Sequence, residues 1–257
     1  MPFQLLSLSV PLLTPSPTPA AGRTAPGRIE QITEQIAARQ TPTPNWLVIL
    51  TGLIAVLFVG TSVIRRLATS SHEGAHATAA GLLGEVTGIT LPRKGTAFTD
   101  VKAAGLARFV TFFVGYLGPP MFGLLGAWLL SRDHPVAVLW LAIVLFAVLL
   151  WLVRNPFGAF FAAAIGGALL LVAWNTTTAV QTLVAYFLVW SLLLRAARHV
   201  TPHLKAAART MDPKAKEKSD YRALREMTYV PQILWVLLHL VLCWAAAAFG
   251  AWLMLVA

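Results

Sequence analysis

Acidic residues are scarce in this chain: ten Asp and Glu stand against twenty Lys and Arg in 257 residues, and all charged types together make up 12%. A water-soluble domain carries about a quarter charged residues, so this composition excludes an ordinary soluble globule. Cysteine is nearly missing. The lone Cys243 lies in an apolar run, so no disulfide framework can form within one chain. Disorder is excluded from the other side, because 57% of the residues are hydrophobic and disordered chains are poor in them. The formal net charge of +10 bears first on orientation in a bilayer and only second on nucleic acid. What remains is one polytopic membrane domain with a loose front end.

Prolines cluster in that front end, as in Pro15-Ser16-Pro17-Thr18-Pro19. A cleaved leader needs a basic start and an unbroken apolar core, yet no Lys or Arg precedes Arg23 and Pro11 interrupts the apolar stretch. Residues 1–45 are therefore expected to be a flexible Pro-rich tail with a short helix near Ile29–Arg39. A membrane-embedded domain over residues 46–257 follows.

Crossing the hydrocarbon core takes about 20 apolar residues in a helix, the form that satisfies its own backbone in lipid. Six runs free of Asp, Glu, Lys and Arg meet this: Trp46–Ile64, Phe109–Leu130, Val136–Val153, Phe157–Trp174, Val180–Leu194 and Pro231–Val256. Leu67–Leu91 differs, being rich in Ala and Gly and carrying His72, Glu73, His76 and Glu85. It is expected to be helical to about Leu83 and partly embedded, as a re-entrant or shallow helix, with Glu85 ending it. The fold class is thus an all-α polytopic membrane protein, with about six transmembrane helices plus this helix and a short β-hairpin. The hairpin is read from Val86–Leu91 and Thr96–Thr99 around Pro92-Arg93-Lys94-Gly95. Near a cleft, such an edge can pair with an extended substrate.

Alternate connections are basic and nearly neutral. Arg65, Arg66, Arg93, Lys94, Lys102 and Arg108 follow the first run, Arg154 the third, and a dense basic stretch over 195–229 the fifth; Asn175–Gln181 carries no charge. The positive-inside pattern places the basic connections in the cytoplasm and both termini outside, in a multi-pass protein of the cell membrane. The 195–229 stretch has few aromatics between its cations, so it reads as a topology anchor meeting anionic lipid, and no nucleic-acid partner is expected.

His72-Glu73-Gly74-Ala75-His76 is the sharpest chemical signal. Residues i and i+4 share a helix face, so both imidazoles can address one ion. Glu73 is placed to take a proton from water at that ion without ligating it. Zinc suits such ligands and keeps one position open in catalytic sites. A third protein ligand is needed. Glu30, Glu34 and Asp133 fall on the opposite side, and Asp212 and Glu217 in the Lys-rich loop. Spacing alone leaves Asp100, Asp220 and Glu226 open. His199 and His203 are separated by Pro202 and are read as loop histidines. His239 is expected to be a hydrogen-bonded interior residue. Gly118-Pro119-Pro120 is expected to kink the second span.

Five ordered blocks carry a family resemblance: HEGAH, Gly84-Glu85-Val86-Thr87-Gly88-Ile89-Thr90-Leu91, Gly115-Tyr116-Leu117-Gly118-Pro119-Pro120, Arg154-Asn155-Pro156-Phe157-Gly158, and Ser219-Asp220…Thr228…Pro231…Trp235. From about Trp46 onward the chain resembles the M50B-like peptidases, bacterial multi-spanning proteins similar to site-2 intramembrane metalloproteases. The resemblance implies a bacterial plasma membrane setting and one Zn2+ per chain. It implies His72 and His76 as zinc ligands, Glu73 as general base and, by looser analogy, Asp220 as third ligand. The chain departs from the wider pattern in having Tyr221, not Gly, after Asp220. Ser219-Asp220 also has the form of a helix start, where Ser caps and Asp favours the dipole.

Two functions are therefore weighed. One is a zinc-dependent intramembrane endopeptidase acting on membrane-spanning or juxtamembrane segments of membrane-protein substrates. The other is a non-catalytic protein of the same fold that binds a partner helix. A transporter would show repeated halves with paired broken helices, which the sequence lacks.

Overall fold

The structure, a computed structural model, describes residues 27–209 and 219–256. The proline runs of the front end therefore lie outside the described residues. The elements in chain order are α1 (Arg28–Ala37), α2 (Asn45–Phe58), α3 (Ser62–Leu83), β1 (Glu85–Thr90), β2 (Phe98–Lys102), α4 (Gly105–Val114), a 3-10 turn (Gly115–Leu117), α5 (Gly118–Ser131), α6 (Pro135–Leu152), α7 (Pro156–Asn175), α8 (Thr178–Arg209), α9 (Asp220–Thr228) and α10 (Gln232–Leu255). Among the described residues, five helical stretches are long and apolar enough to cross a membrane: Gly105–Ser131, α6, α7, Thr178–Leu204 and α10. Large apolar side chains such as Leu57, Trp151, Leu171 and Val241 stand exposed on the helices, as lipid contact requires. The chain is an all-α, multi-pass membrane protein.

The expected first span is corrected. Trp46–Ile64 is not one helix: α2 stops at Phe58, and α3 leaves at 96° to it. The break falls at Val59-Gly60-Thr61, where the Thr61 hydroxyl accepts from the Ile64 amide at 3.4 Å and starts a new helix. The pair passes as a span only when taken together, as a broken crossing or a re-entrant turn.

Contacts mark two ends of the bundle. At one, the Gln40 amide donates to the Asp133 carbonyl (2.8 Å), Asn45 Nδ2 to the Leu255 carbonyl (3.2 Å), and the Arg28 guanidinium to the Trp174 carbonyl. At the other, the hairpin is tied down by the connection between α6 and α7. The Arg154 amide donates to Ile89 O (2.9 Å), and the Asn155 carboxamide pairs with both backbone groups of Leu91, at 2.8 and 2.9 Å. Alternate connections thus gather at alternate ends, and the hairpin end carries Arg65, Arg66, Arg93, Lys94, Lys102, Arg108 and Arg154.

The hairpin forms, with a shifted second strand. β2 begins at Phe98 and runs through Asp100 to Lys102, opposite Glu85, so Asp100 lies inside the strand rather than after it. Glu85 opens β1 rather than ending α3. Pro119 and Pro120 occupy the first turn of α5, where their missing amides cost little; the interruption they mark is the 3-10 turn just before. In the middle of the bundle α5, α8 and α10 pack together around fully buried Leu193.

A candidate metal centre

His72, Glu73 and His76 are all buried on α3. The helix rotates both imidazoles to one face, where their Nε2 atoms stand 3.1 Å apart and their rings meet edge to face. From the far end of the sequence, Asp220 enters as the first residue of α9. Its Oδ2 lies 3.0 Å from His72 Nε2 and 3.3 Å from His76 Nε2. Ser219 caps α9, its hydroxyl accepting from the Arg222 amide at 3.3 Å. The helix-start reading of Ser219-Asp220 and its place at the imidazoles therefore hold together: the cap fixes the backbone that presents the carboxylate.

The other acidic residues are elsewhere. Asp100 is exposed on β2, and the exposed Glu226 accepts from Arg222 Nε at 2.8 Å. Among the described residues, only His72, His76 and Asp220 form a group that could hold a metal ion. Asp212 and Glu217 lie outside the described residues.

Hydrogen bonding fixes which His76 atom is available. His76 Nδ1 contacts the Thr111 carbonyl at 2.7 Å; a carbonyl only accepts, so Nδ1 carries the proton and the Nε2 lone pair faces His72 and Asp220. The lone pairs of His76 Nε2 and Asp220 Oδ2, 3.3 Å apart, repel unless positive charge lies between them. A tetrahedral zinc with bonds near 2.0–2.2 Å separates its ligands by roughly 3.3–3.6 Å, so the triangle would open by only a few tenths of an ångström. The donor set, two nitrogens and one oxygen, fits zinc.

Glu73 points to the hairpin. Its Oε2 accepts from the Thr99 hydroxyl at 2.7 Å. Thr99 lies on β2, whose other edge makes no backbone hydrogen bond among the described residues; the outer edge of β1 is occupied by Val153 and Arg154.

Gly115 and Gly118 press the 3-10 turn onto α3. A β-carbon at Gly115 would overlap the His76 ring and crowd His72, and one at Gly118 would strike the Ser71 carbonyl. Behind them, Tyr116 stacks on Tyr221 at 4.3 Å and meets the His72 ring at 4.5 Å.

The histidines expected in a loop are corrected. α8 runs through Pro202, so His199 and His203 lie on a continuous helix and face this same region. His199 is 5.5 Å from the His72 ring, and His203 Nε2 lies 3.2 Å from the Tyr116 hydroxyl. The basic 195–229 stretch is accordingly helix through Arg209 and again from Asp220. His239 is interior and hydrogen-bonded, its nitrogens 2.8 and 2.9 Å from the carbonyls of Trp235 and Phe113. Sequence reasoning missed Thr99, a threonine among many with no spacing signal, and Thr111, which acts through its carbonyl.

The family model described as Peptidase M50B-like matches residues 43–254. The chain belongs to that family. No curated protein and no solved structure matches it.

Proposed function

We propose that this member of the M50B-like peptidases is a zinc-dependent intramembrane endopeptidase. The observation that carries the reading is the convergence of His72 Nε2, His76 Nε2 and Asp220 Oδ2 within 3.0–3.3 Å of one another, beside a buried glutamate. His72, His76 and Asp220 would hold one zinc ion per chain. Bound there, zinc would polarise a peptide carbonyl and make water at the site more acidic.

The chain's own residues supply the rest. Glu73 takes a proton from the attacking water and passes it to the departing amine nitrogen, so the C–N bond breaks without an unstable anion leaving. Thr99 orients that carboxylate by occupying Oε2. The Thr111 carbonyl fixes the tautomer of His76. The free edge of β2, next to Thr99, supports pairing with a substrate strand in extended form. A transmembrane or juxtamembrane segment would have to unwind locally to present its carbonyls there, which favours substrates with weak helix near the basic end of the bundle.

The test is Glu73→Gln in the purified full chain. Cleavage of a membrane-anchored reporter should fall by about 10²–10⁴-fold with zinc content unchanged. Undiminished cleavage would remove Glu73 from the reaction; wild-type protein that binds zinc yet cleaves no reporter would favour the partner-binding alternative.

A further inference from the structure

A basic cavity of about 330 Å3 lies apart from the metal centre, between the first half of α3, the hairpin turn and the start of α7. Its lining includes Arg65, Arg66, Arg93, Lys94 and Ser70, with Phe157 opposite, and no carboxylate. Arg66 has a structural task. Its guanidinium donates to the carbonyls of Pro92 (3.1 Å) and Arg93 (2.8 Å) and lies 4.5 Å over the Phe157 ring. That pins the turn to α3 through its backbone and leaves the side chains of Arg93 and Lys94 exposed.

The remaining cations have no counter-charge among the described residues. Arg65, Arg93 and Lys94 form no ion pair among the described residues. Arg65 also feels the like charge of Arg195 on α8, whose buried Nε has no hydrogen-bond partner among the described residues. Ser70 adds an independent sign. It is 6% exposed, and its hydroxyl is buried without a partner. Helical hydroxyls commonly bond back one turn, as those of Thr69 and Ser71 do on either side. Concentrated positive charge, an unused donor and an aromatic wall at the basic end of a membrane bundle describe an anion site at headgroup depth.

We propose that this cavity binds the phosphate of an anionic phospholipid headgroup, with Arg65, Arg93 and Lys94 as cationic contacts and Ser70 as hydroxyl donor. It needs only the placement of the chain in a membrane and is independent of the peptidase reading. A bound headgroup bridges the hairpin turn to α3.

The test uses the full chain in neutral detergent, with phosphatidylglycerol, phosphatidylcholine or inorganic phosphate added, read by thermal shift and by retained lipid in native mass spectrometry. Phosphatidylglycerol should be retained and should raise the melting temperature. In an Arg93→Ala/Lys94→Ala double variant its affinity should fall roughly thirtyfold, while Lys102→Ala, which removes a cation from the same hairpin outside the cavity, should bind normally. Arg65→Gln, on a different element, should weaken the lipid as well. Undiminished phosphatidylglycerol binding in both cavity variants would overturn the proposal. So would an equal shift from phosphatidylcholine, and an equal shift from inorganic phosphate would replace the lipid by the free anion.

Discussion

Gly115 lies flat against the imidazole of His76, leaving no room for a β-carbon between the 3-10 turn and the ring. The contact makes the geometry of the centre depend on a residue with no functional group. Gly115→Ala should push the imidazole off the shared point and reduce zinc occupancy at least tenfold, with a stability cost of about 1–3 kcal/mol. Metal analysis and thermal unfolding of the same preparation check both. Full occupancy at wild-type stability would mean that the turn yields freely.

Among the described residues, Thr99 is the one hydroxyl bonded to the Glu73 carboxylate. Thr99→Val keeps the shape and removes the donor. Reporter cleavage should slow by about tenfold with zinc content unchanged, because the variant loosens the base without touching a ligand. A change in zinc content instead would place Thr99 in support of the metal site.

Asp220 is separated from the other acidic candidates by position alone. Asp220→Ala should leave a two-histidine site that loses zinc during dialysis against a weak chelator, whereas Asp100→Ala and Glu226→Ala should keep about one ion per chain. Both control residues are exposed, so neither change should disturb folding. Zinc retained in Asp220→Ala and lost in either control would transfer the third ligand.

The helical runs were legible because lipid imposes a simple rule: a crossing helix needs length and apolar side chains, and α6, α7 and α10 obey it with little else in their sequences. His72 and His76 were legible for a similar reason, since one helical turn fixes their relation. Spacing left Asp220 as a choice among three, and only the family resemblance favoured it, because it lies 148 positions beyond His72 and only tertiary packing brings them together.

Hydropathy carried the first span through Gly60-Thr61-Ser62, although a glycine and a capping threonine mark a break there; the local capping bond won. At Pro202 the balance went the other way. Proline removes one backbone hydrogen bond, yet α8 continues through it, with His199 and His203 packed against Tyr116 and Tyr221. Thr99 and Thr111 gave no sign, because a single hydroxyl or carbonyl acquires its role only when another element arrives beside it.

The central claim is that two imidazoles and one carboxylate grip a single ion. X-ray absorption at the zinc edge of the zinc-loaded chain measures this directly. The account predicts two imidazole nitrogens and at least one carboxylate oxygen near 2.0–2.2 Å, with no sulfur neighbour, and an imidazole signal lost together with the ion in His72→Ala. Zinc bound with the same spectrum in His72→Ala, or a first shell without imidazole, would contradict it.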